Sequence, residues 1–276
     1  LTEKIIGRWI KDNPSKRSQI VLATKFYNAM GDGPNDKGNS AVHMRHAVET
    51  SLKALQTDYI DLYQMHHIDR SAHWDEIWQA YDVLIKQGKV IYAGSSNFAG
   101  WHMAQANEAA KQRHMVGLVA EQCRYSLMYR QAEMEILPAA KAYGMGVIPW
   151  SPLSGGMLAG YNEPGKRRSG GDWVKPYLEK HKTTFEKWDK FAKDLGESQA
   201  NIALAWTLHH PAVTAPIIGP RTMDQLTGPL RALEIKLTAE QLGTLDEIWP
   251  PAGHPDVQKP DNKNAYRLES PEAFAW

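Results

Sequence analysis

Residues 60–97 read IDLYQMHHIDRSAHWDEIWQAYDVLIKQGKVIYAGSSN, and this stretch decides the fold. A short apolar run over 59–66 ends in His66, and a helical pattern over about 73–87 follows until Gly88 stops it. A second apolar run over 90–95 ends in Ser-Ser-Asn97. Two strands separated by a helix of about 10–15 residues indicate a parallel βαβ unit, because a parallel neighbour needs a long crossover.

The same alternation runs outward in both directions. Upstream, Ile20-Val-Leu-Ala-Thr-Lys25 reads as a strand, 28–40 as a Gly/Asn/Asp loop, and 41–55 as a helix that Ser40 is placed to cap. Residues 1–11 carry Ile5, Ile6, Trp9 and Ile10 at helical spacing. Downstream come a helix over 100–113, the strand Leu118-Val-Ala-Glu-Gln122, a helix over 132–143 and a strand over 146–150. Residues 154–181 are rich in Gly, Lys and Arg and too long for a plain βα connection, so this segment is expected to be functional or mobile. Helices over about 183–195 and 199–209, a strand Ala215-Pro-Ile-Ile218 and a helix over 222–233 follow. Thr238 with Gln241 three residues on reads as a capping box opening one more helix. The polar, Pro-rich stretch 251–276 ends in Ala273-Phe-Ala-Trp276, so this tail is expected to dock on the body.

The pattern is α/β and points to a (β/α)8 TIM barrel of which about six strands are recognisable, where a closed barrel needs eight. Because the chain opens on a helix, the remaining strands are expected upstream of Leu1. In such barrels the carboxyl ends of the strands share the face that holds the active site. Lys25, His66, Asn97, Gln122 and Ser151 stand at or just past strand ends, an arrangement that suits an enzyme better than a scaffold.

Composition narrows the class further. At 276 residues and 42% hydrophobic, the chain can build one large core. Thirty-two Lys+Arg against 31 Asp+Glu leave a formal net charge of +1, without the basic field of a nucleic-acid binder. No apolar run approaches the roughly 20 residues that span a bilayer, and the N-terminus lacks the layout of a signal peptide. Cys123 is the single cysteine, so no internal disulfide forms; it reads as buried and inert, and a cytoplasmic setting is expected. Adjacent strand residues point to opposite faces, so His66 and His67 are poorly placed to share an ion and no metal site is expected. No G-x-G-x-x-G follows a strand, which leaves a Rossmann site without support.

Six segments carry a resemblance: Ala23-Thr-Lys25, Asp58-Tyr-Ile-Asp-Leu-Tyr-Gln-Met-His66, Gly88-Lys-Val-Ile-Tyr-Ala-Gly-Ser-Ser-Asn97, Gln122-Cys-Arg-Tyr-Ser-Leu127, Trp150-Ser-Pro-Leu153 and Ile218-Gly-Pro-Arg221. In this order and at this spacing the chain resembles the aldo-keto reductase superfamily over essentially its whole length. The resemblance implies a single barrel domain over 1–276 with its N-terminal part missing, and reversible hydride transfer between NADPH and an aldehyde or ketone. The family's tetrad is Asp, Tyr, Lys and His. Lys25 and His66 match the last two, and the tyrosine acid and the aspartate are expected outside these residues. A lysine cation lowers the pKa of the neighbouring tyrosine, and the histidine orients the carbonyl oxygen.

Cofactor roles carry over by position. Ser96, Asn97 and Gln122 match the residues that hydrogen-bond the nicotinamide carboxamide, and Trp150 the ring that stacks on it. Ser151, Leu153 and Gly155 match the loop around the pyrophosphate. Arg221, with Gln225 one turn on, matches the site of the 2′-phosphate, where a guanidinium suits the dianion and a helix N-terminus adds favourable dipole. The resemblance therefore implies NADP, with NADPH preferred over NADH. Gly228-Pro229 replaces the Glu-Asn that the family often places near the adenine, so contacts there must differ. The superfamily also holds potassium-channel β subunits that bind NADP, which makes a non-catalytic NADP-binding regulator the alternative. The partner expected is a small-molecule carbonyl substrate, with neither nucleic acid nor membrane. Its pocket is expected from the loops 26–40, 154–181 and 251–276, with Tyr27, Trp74, Trp173 and Trp276 as walls; the basic Lys166-Arg-Arg168 reads as a solvated loop, with closure over a phosphate-bearing cofactor or substrate as the alternative.

Overall fold

The computed structural model describes residues 1–160 and 174–252. Lys166, Arg167, Arg168, Trp173, Trp276 and the tail from 253 onward lie outside the described residues. Among the described residues five strands alternate with helices in the order expected: β1 (Ala23–Phe26), β2 (Ile60–Met65), β3 (Val90–Ser96), β4 (Leu118–Gln122) and β5 (Gly146–Val147). The helices are α1 (Thr2–Asp12), α2 (Ala41–Leu55), α3 (Trp74–Lys86), α4 (Gly100–Gln112), α5 (Ile136–Ala142), α6 (Val174–Lys180), α7 (Lys182–Leu195), α8 (Gln199–His209), α9 (Met223–Thr227) and α10 (Ala239–Ile248). The chain divides into two compact units. Among the described residues the first holds Leu1–Gln122 and Ala139–Met145, and the second holds Cys123–Pro138 and everything from Gly146 onward.

In the first unit β1 to β4 pair in parallel in chain order. The register aligns Lys25 with Gln64, Gln64 with Gly94, and Gly94 with Ala120. Helix α2 begins where expected because the Ser40 hydroxyl accepts the His43 amide at 3.2 Å. One face of the sheet buries Phe26 and Tyr63, which stack at 4.6 Å, against Tyr81 and Trp78 of α3. The Tyr81 hydroxyl donates to the Tyr63 carbonyl at 3.0 Å, and the Trp78 indole donates to the Ala106 carbonyl of α4 at 2.9 Å. Each of these buried aromatics contributes about 2 kcal/mol or more. At the entry to β4, Gly117 sits at φ +86° and a Cβ there would meet Asn107 Oδ1 at 2.3 Å. That oxygen accepts the Leu118 amide at 2.7 Å, so the glycine lets α4 latch the strand.

In the second unit proline limits what periodicity promised. The strand expected over 146–150 is only Gly146–Val147, and the strand expected at Ala215–Ile218 does not form. Val147 bridges Val213, the Thr214 amide donates to the Val147 carbonyl, and the Ile217 amide donates to the Pro149 carbonyl at 2.8 Å. The two segments therefore run side by side, but Pro149 and Pro216 each remove a donor and no continuous ladder results. Similarly, the helix expected over 222–233 ends at Thr227 and continues as a 3-10 turn over Gly228–Leu233, where Pro229 lacks the amide hydrogen. Part of the segment 154–181 is helical: α6, and a 3-10 turn over Ser154–Ala159. Helix α8 buries an unbroken run from Ile202 to Thr207, as a helix enclosed on every side does. Its Leu204 and Ala205 pack with Ala232, Leu153, Ile218 and Ile235.

Candidate functional site

Side-chain alternation decides what faces where in the first unit. Tyr63 packs on Tyr81 of α3, so that face of the sheet is the helix side. Residues of opposite parity, and those in register with them, face the other way. Lys25, Gln64, Ser96 and Gln122 thus share the face away from the helices, and His66 follows two residues after Gln64.

Lys25 is half-buried, and loss of water pushes its pKa below the ordinary lysine value. His66 is held well below its usual range, at about 4, first by burial, then by the charge of Lys25 and by His67. It is therefore neutral at pH 7. The Asn28 side-chain amide lies 3.0 Å from His66 Nδ1, and Asn39 donates to the His67 carbonyl at 2.9 Å. The two histidine rings stack at 4.9 Å rather than pointing to opposite faces, because β2 ends at Met65 and the alternation stops there. Among the described residues no group of three or more His, Cys, Asp or Glu side chains is placed to hold a metal ion.

Asn97 sits just past β3 in the left-handed region at φ 58°, a conformation asparagine tolerates better than most residues. Its side-chain amide donates to the His66 carbonyl and to Ser96 Oγ, both at 3.1 Å, and its main-chain amide donates to the Gln122 carbonyl at 3.1 Å. Ser96 Oγ donates to the same Gln122 carbonyl at 2.8 Å. The ends of β2, β3 and β4 are thus tied into one polar rim. Beneath it lies Glu121, fully buried, whose carboxylate accepts Ser95 Oγ at 2.5 Å and the Phe98 amide at 3.1 Å. Burial pushes its pKa up to about 7, against the pull of the Ser95 hydroxyl and the Phe98 and Asn97 amides.

The second unit contains a cavity of about 830 Å³ whose lining includes Trp150, Ser151, Leu153, Gly155, Arg221 and Gln225. Its near wall is a loop of unusual backbone: Ser151, Ser154, Gly155, Gly156 and Gly160 all have positive φ, from 47° to 102°. Left-handed residues in a turn direct main-chain N–H groups to one side and form hollows suited to anions. Ser154 Oγ pairs with Ser126 Oγ at 2.8 Å, which anchors the loop. Three carboxylates also line the cavity, but Asp189 pairs with Lys193 at 2.6 Å and Glu197 with Arg231 at 2.6 Å. Small residues, a glycine-rich turn and the Arg221 guanidinium fit a phosphate-bearing ligand. The helix behind Arg221 is shorter than expected, with five residues in α9, and its Gln225 amide is taken by Thr222 Oγ1 at 3.3 Å while the Arg221 amide donates to Gln225 Oε1 at 2.8 Å. Gly228 and Pro229 line the same cavity, and nothing lies within 4 Å of where a Gly228 Cβ would be.

Lys25, His66, Ser96, Asn97 and Gln122 therefore gather at one edge of the first unit, and Trp150, Ser151, Leu153, Gly155, Arg221 and Gln225 around one cavity of the second. Cys123 is buried, as expected. Of the expected pocket walls, Tyr27 lies 5.3 Å from the His67 ring, whereas the Trp74 indole is committed to Gln105 on α4 at 2.8 Å. Sequence reading missed Asn28 and Glu121. For Glu121 a signal existed: an acidic residue inside an otherwise apolar strand, one step out of phase with Gln122, must face the helices and need partners there.

Residues 1–250 match the aldo/keto reductase family. The chain is 49% identical over 282 residues to an uncharacterized oxidoreductase, YrpG, of Bacillus subtilis, covering 100% of this chain and 82% of that protein. It is 33% identical over 261 residues to a putative voltage-gated potassium channel subunit beta of Schizosaccharomyces pombe, covering 90% of this chain and 76% of the other. With norsolorinic acid reductase A of Aspergillus parasiticus it shares 31% over 255 residues, 90% of this chain but only 65% of that reductase's length. The chain belongs to the aldo/keto reductase family, oxidoreductases that generally use NAD(P)H and whose fold is the (β/α)8 barrel. No helix among the described residues is long and apolar enough to cross a membrane.

Proposed function

We propose that residues 1–276 belong to one aldo-keto reductase barrel domain, cytoplasmic, that reduces a small aldehyde or ketone to its alcohol with NADPH. The observation that carries this reading is the shared edge of Lys25, His66, Ser96, Asn97 and Gln122 at adjacent strand ends. When bound, NADPH supplies the hydride for the carbonyl carbon. Ser96, Asn97 and Gln122 hold the carboxamide, Trp150 stacks on the ring, Ser151, Leu153 and Gly155 offer main-chain N–H groups to the pyrophosphate, and Arg221 with Gln225 takes the 2′-phosphate.

Charge developing on the substrate oxygen must be met by donors aimed at it. His66 is suited to this: an Asn28 amide donating into Nδ1 leaves the ring N–H on Nε2, free to hydrogen-bond the substrate oxygen and orient it. The proton itself comes, in this reading, from a tyrosine outside residues 1–276, whose phenolate form the Lys25 ammonium favours.

The test uses the natural full-length protein, an aromatic aldehyde, and the loss of NADPH or NADH. Wild type is expected to prefer NADPH. Lys25→Met should lower turnover by about 100-fold or more while NADPH affinity stays within about threefold, since a residue that tunes the acid acts on proton transfer. Equal losses in both would sink the role of Lys25, and preference for NADH would sink the cofactor assignment. The likeness to a channel β subunit favours a second reading, a non-catalytic NADP-binding regulator. Tight NADPH binding by wild type without turnover of any carbonyl would select it.

A further inference from the structure

We propose that Glu121 is a positioning residue, whose buried carboxylate locks the Ser95–Phe98 turn and so aims Asn97 at the nicotinamide end of the cofactor. The inference rests on the cofactor role given above to Asn97. Its starting point is parity: Ser96 and Gln122 share the face of the rim, so Ser95 and Glu121, also in register, share the other. There Glu121 has no exposed surface. A carboxylate taken out of water is destabilising by several kcal/mol unless donors replace the lost hydration.

The donors all come from one turn. Ser95 Oγ donates at 2.5 Å to one carboxyl oxygen and the Phe98 amide at 3.1 Å to the other. These groups converge only because Asn97 is left-handed, at φ 58°. A non-glycine residue in that region carries a cost of about 1 kcal/mol or more. Turns with a left-handed residue turn main-chain N–H groups inward, and here the Phe98 amide meets the protein's own Glu121 carboxyl. The same backbone twist sends the Asn97 side chain back toward the His66 carbonyl and Ser96 Oγ. Glu121 touches neither substrate nor cofactor in this scheme; it acts through Asn97.

Glu121→Gln keeps size and shape but leaves one acceptor oxygen for two donors, and turns an N–H₂ toward the other of them. Ser95→Ala removes one donor and leaves the carboxylate. Both variants, with Asn97→Ala, are titrated calorimetrically with NADPH and with adenosine 2′,5′-bisphosphate, which carries the 2′-phosphate but no nicotinamide. Glu121→Gln should weaken NADPH about tenfold, the scale of a lost charge-assisted hydrogen bond, and the bisphosphate less than about twofold. Equal weakening of both ligands, or unchanged NADPH affinity, overturns the proposal, because a merely structural glutamate would not discriminate between them. If Glu121→Gln fails to fold, Ser95→Ala decides on the same comparison, with about threefold selective weakening expected and none overturning it. Asn97→Ala separates the two layers. If it does not selectively weaken NADPH, the role of Asn97 fails and the positioning role falls with it. If it does and Glu121→Gln does not, only the positioning role is lost.

Discussion

His66 shows how much one side chain's surroundings decide. Burial, the Lys25 charge and its stacked neighbour His67 bring its pKa from 6.5 to about 4. The unfolded chain takes up a proton near 6.5 that the folded chain refuses until about 4, so the unfolded state binds more protons between those values. The stability this group contributes is whole above 6.5 and lost as pH falls toward 4. Urea midpoints should therefore fall over that window more steeply for wild type than for His66→Gln. Because the ring stays neutral, kcat/KM should show no step near the ordinary histidine value. A step there that vanishes in His66→Gln would contradict the depressed pKa. Lys25 is legible in the sequence as a lysine closing an apolar strand. Its lowered pKa is not, because desolvation depends on neighbours brought by other elements.

Elements were most legible where their signals are local. The Ser40 cap and the Thr238–Gln241 capping box both stand as expected, since each needs atoms only three residues apart. Thr238 Oγ1 accepts the Gln241 amide at 3.2 Å and Gln241 Oε1 accepts the Thr238 amide at 2.8 Å. Thr238→Ala should cost about 1 kcal/mol, while Thr238→Ser should cost a few tenths at most. Thermal denaturation of the two variants checks this, and equal midpoints would show that the cap adds nothing to α10. Where elements were misjudged, the reason is proline competing with periodicity. Apolar runs at 146–150 and 215–218 read as strands, yet Pro149 and Pro216 interrupt the ladder, and Pro229 breaks the helix that Arg221 was expected to open.

At the scale of the whole molecule, stability rests on links that join remote parts of the chain. Arg130 bonds Glu133 at 2.8 Å and reaches Asp246 at 2.6 Å and the Trp249 carbonyl at 2.8 Å, residues 116 and 119 positions away. Its guanidinium also lies 5.0 Å from the Trp206 ring centre. The arginine side chain is only 10% exposed and Glu133 21%, so removing the cation strands a largely buried carboxylate. Arg130→Ala should destabilise the protein by about 3 kcal/mol in urea unfolding. Arg130→Lys should recover only part of that, because a single ammonium cannot reproduce the planar fork. A loss under about 1 kcal/mol would place this network with ordinary surface pairs.

The sequence by itself determined the α/β alternation, the order and phase of β1 to β4, the helix caps and the family. Each of these is written in neighbours along the chain or in short motifs, and strand parity follows from covalent geometry. Only the tertiary structure decided that Asn28 reaches a histidine 38 residues away, that Glu121 answers Ser95 26 residues back, and that Arg221 lies on a cavity with a left-handed serine-glycine loop. Hydrogen bonds and burial belong to pairs of elements, and no single element's pattern contains its partner.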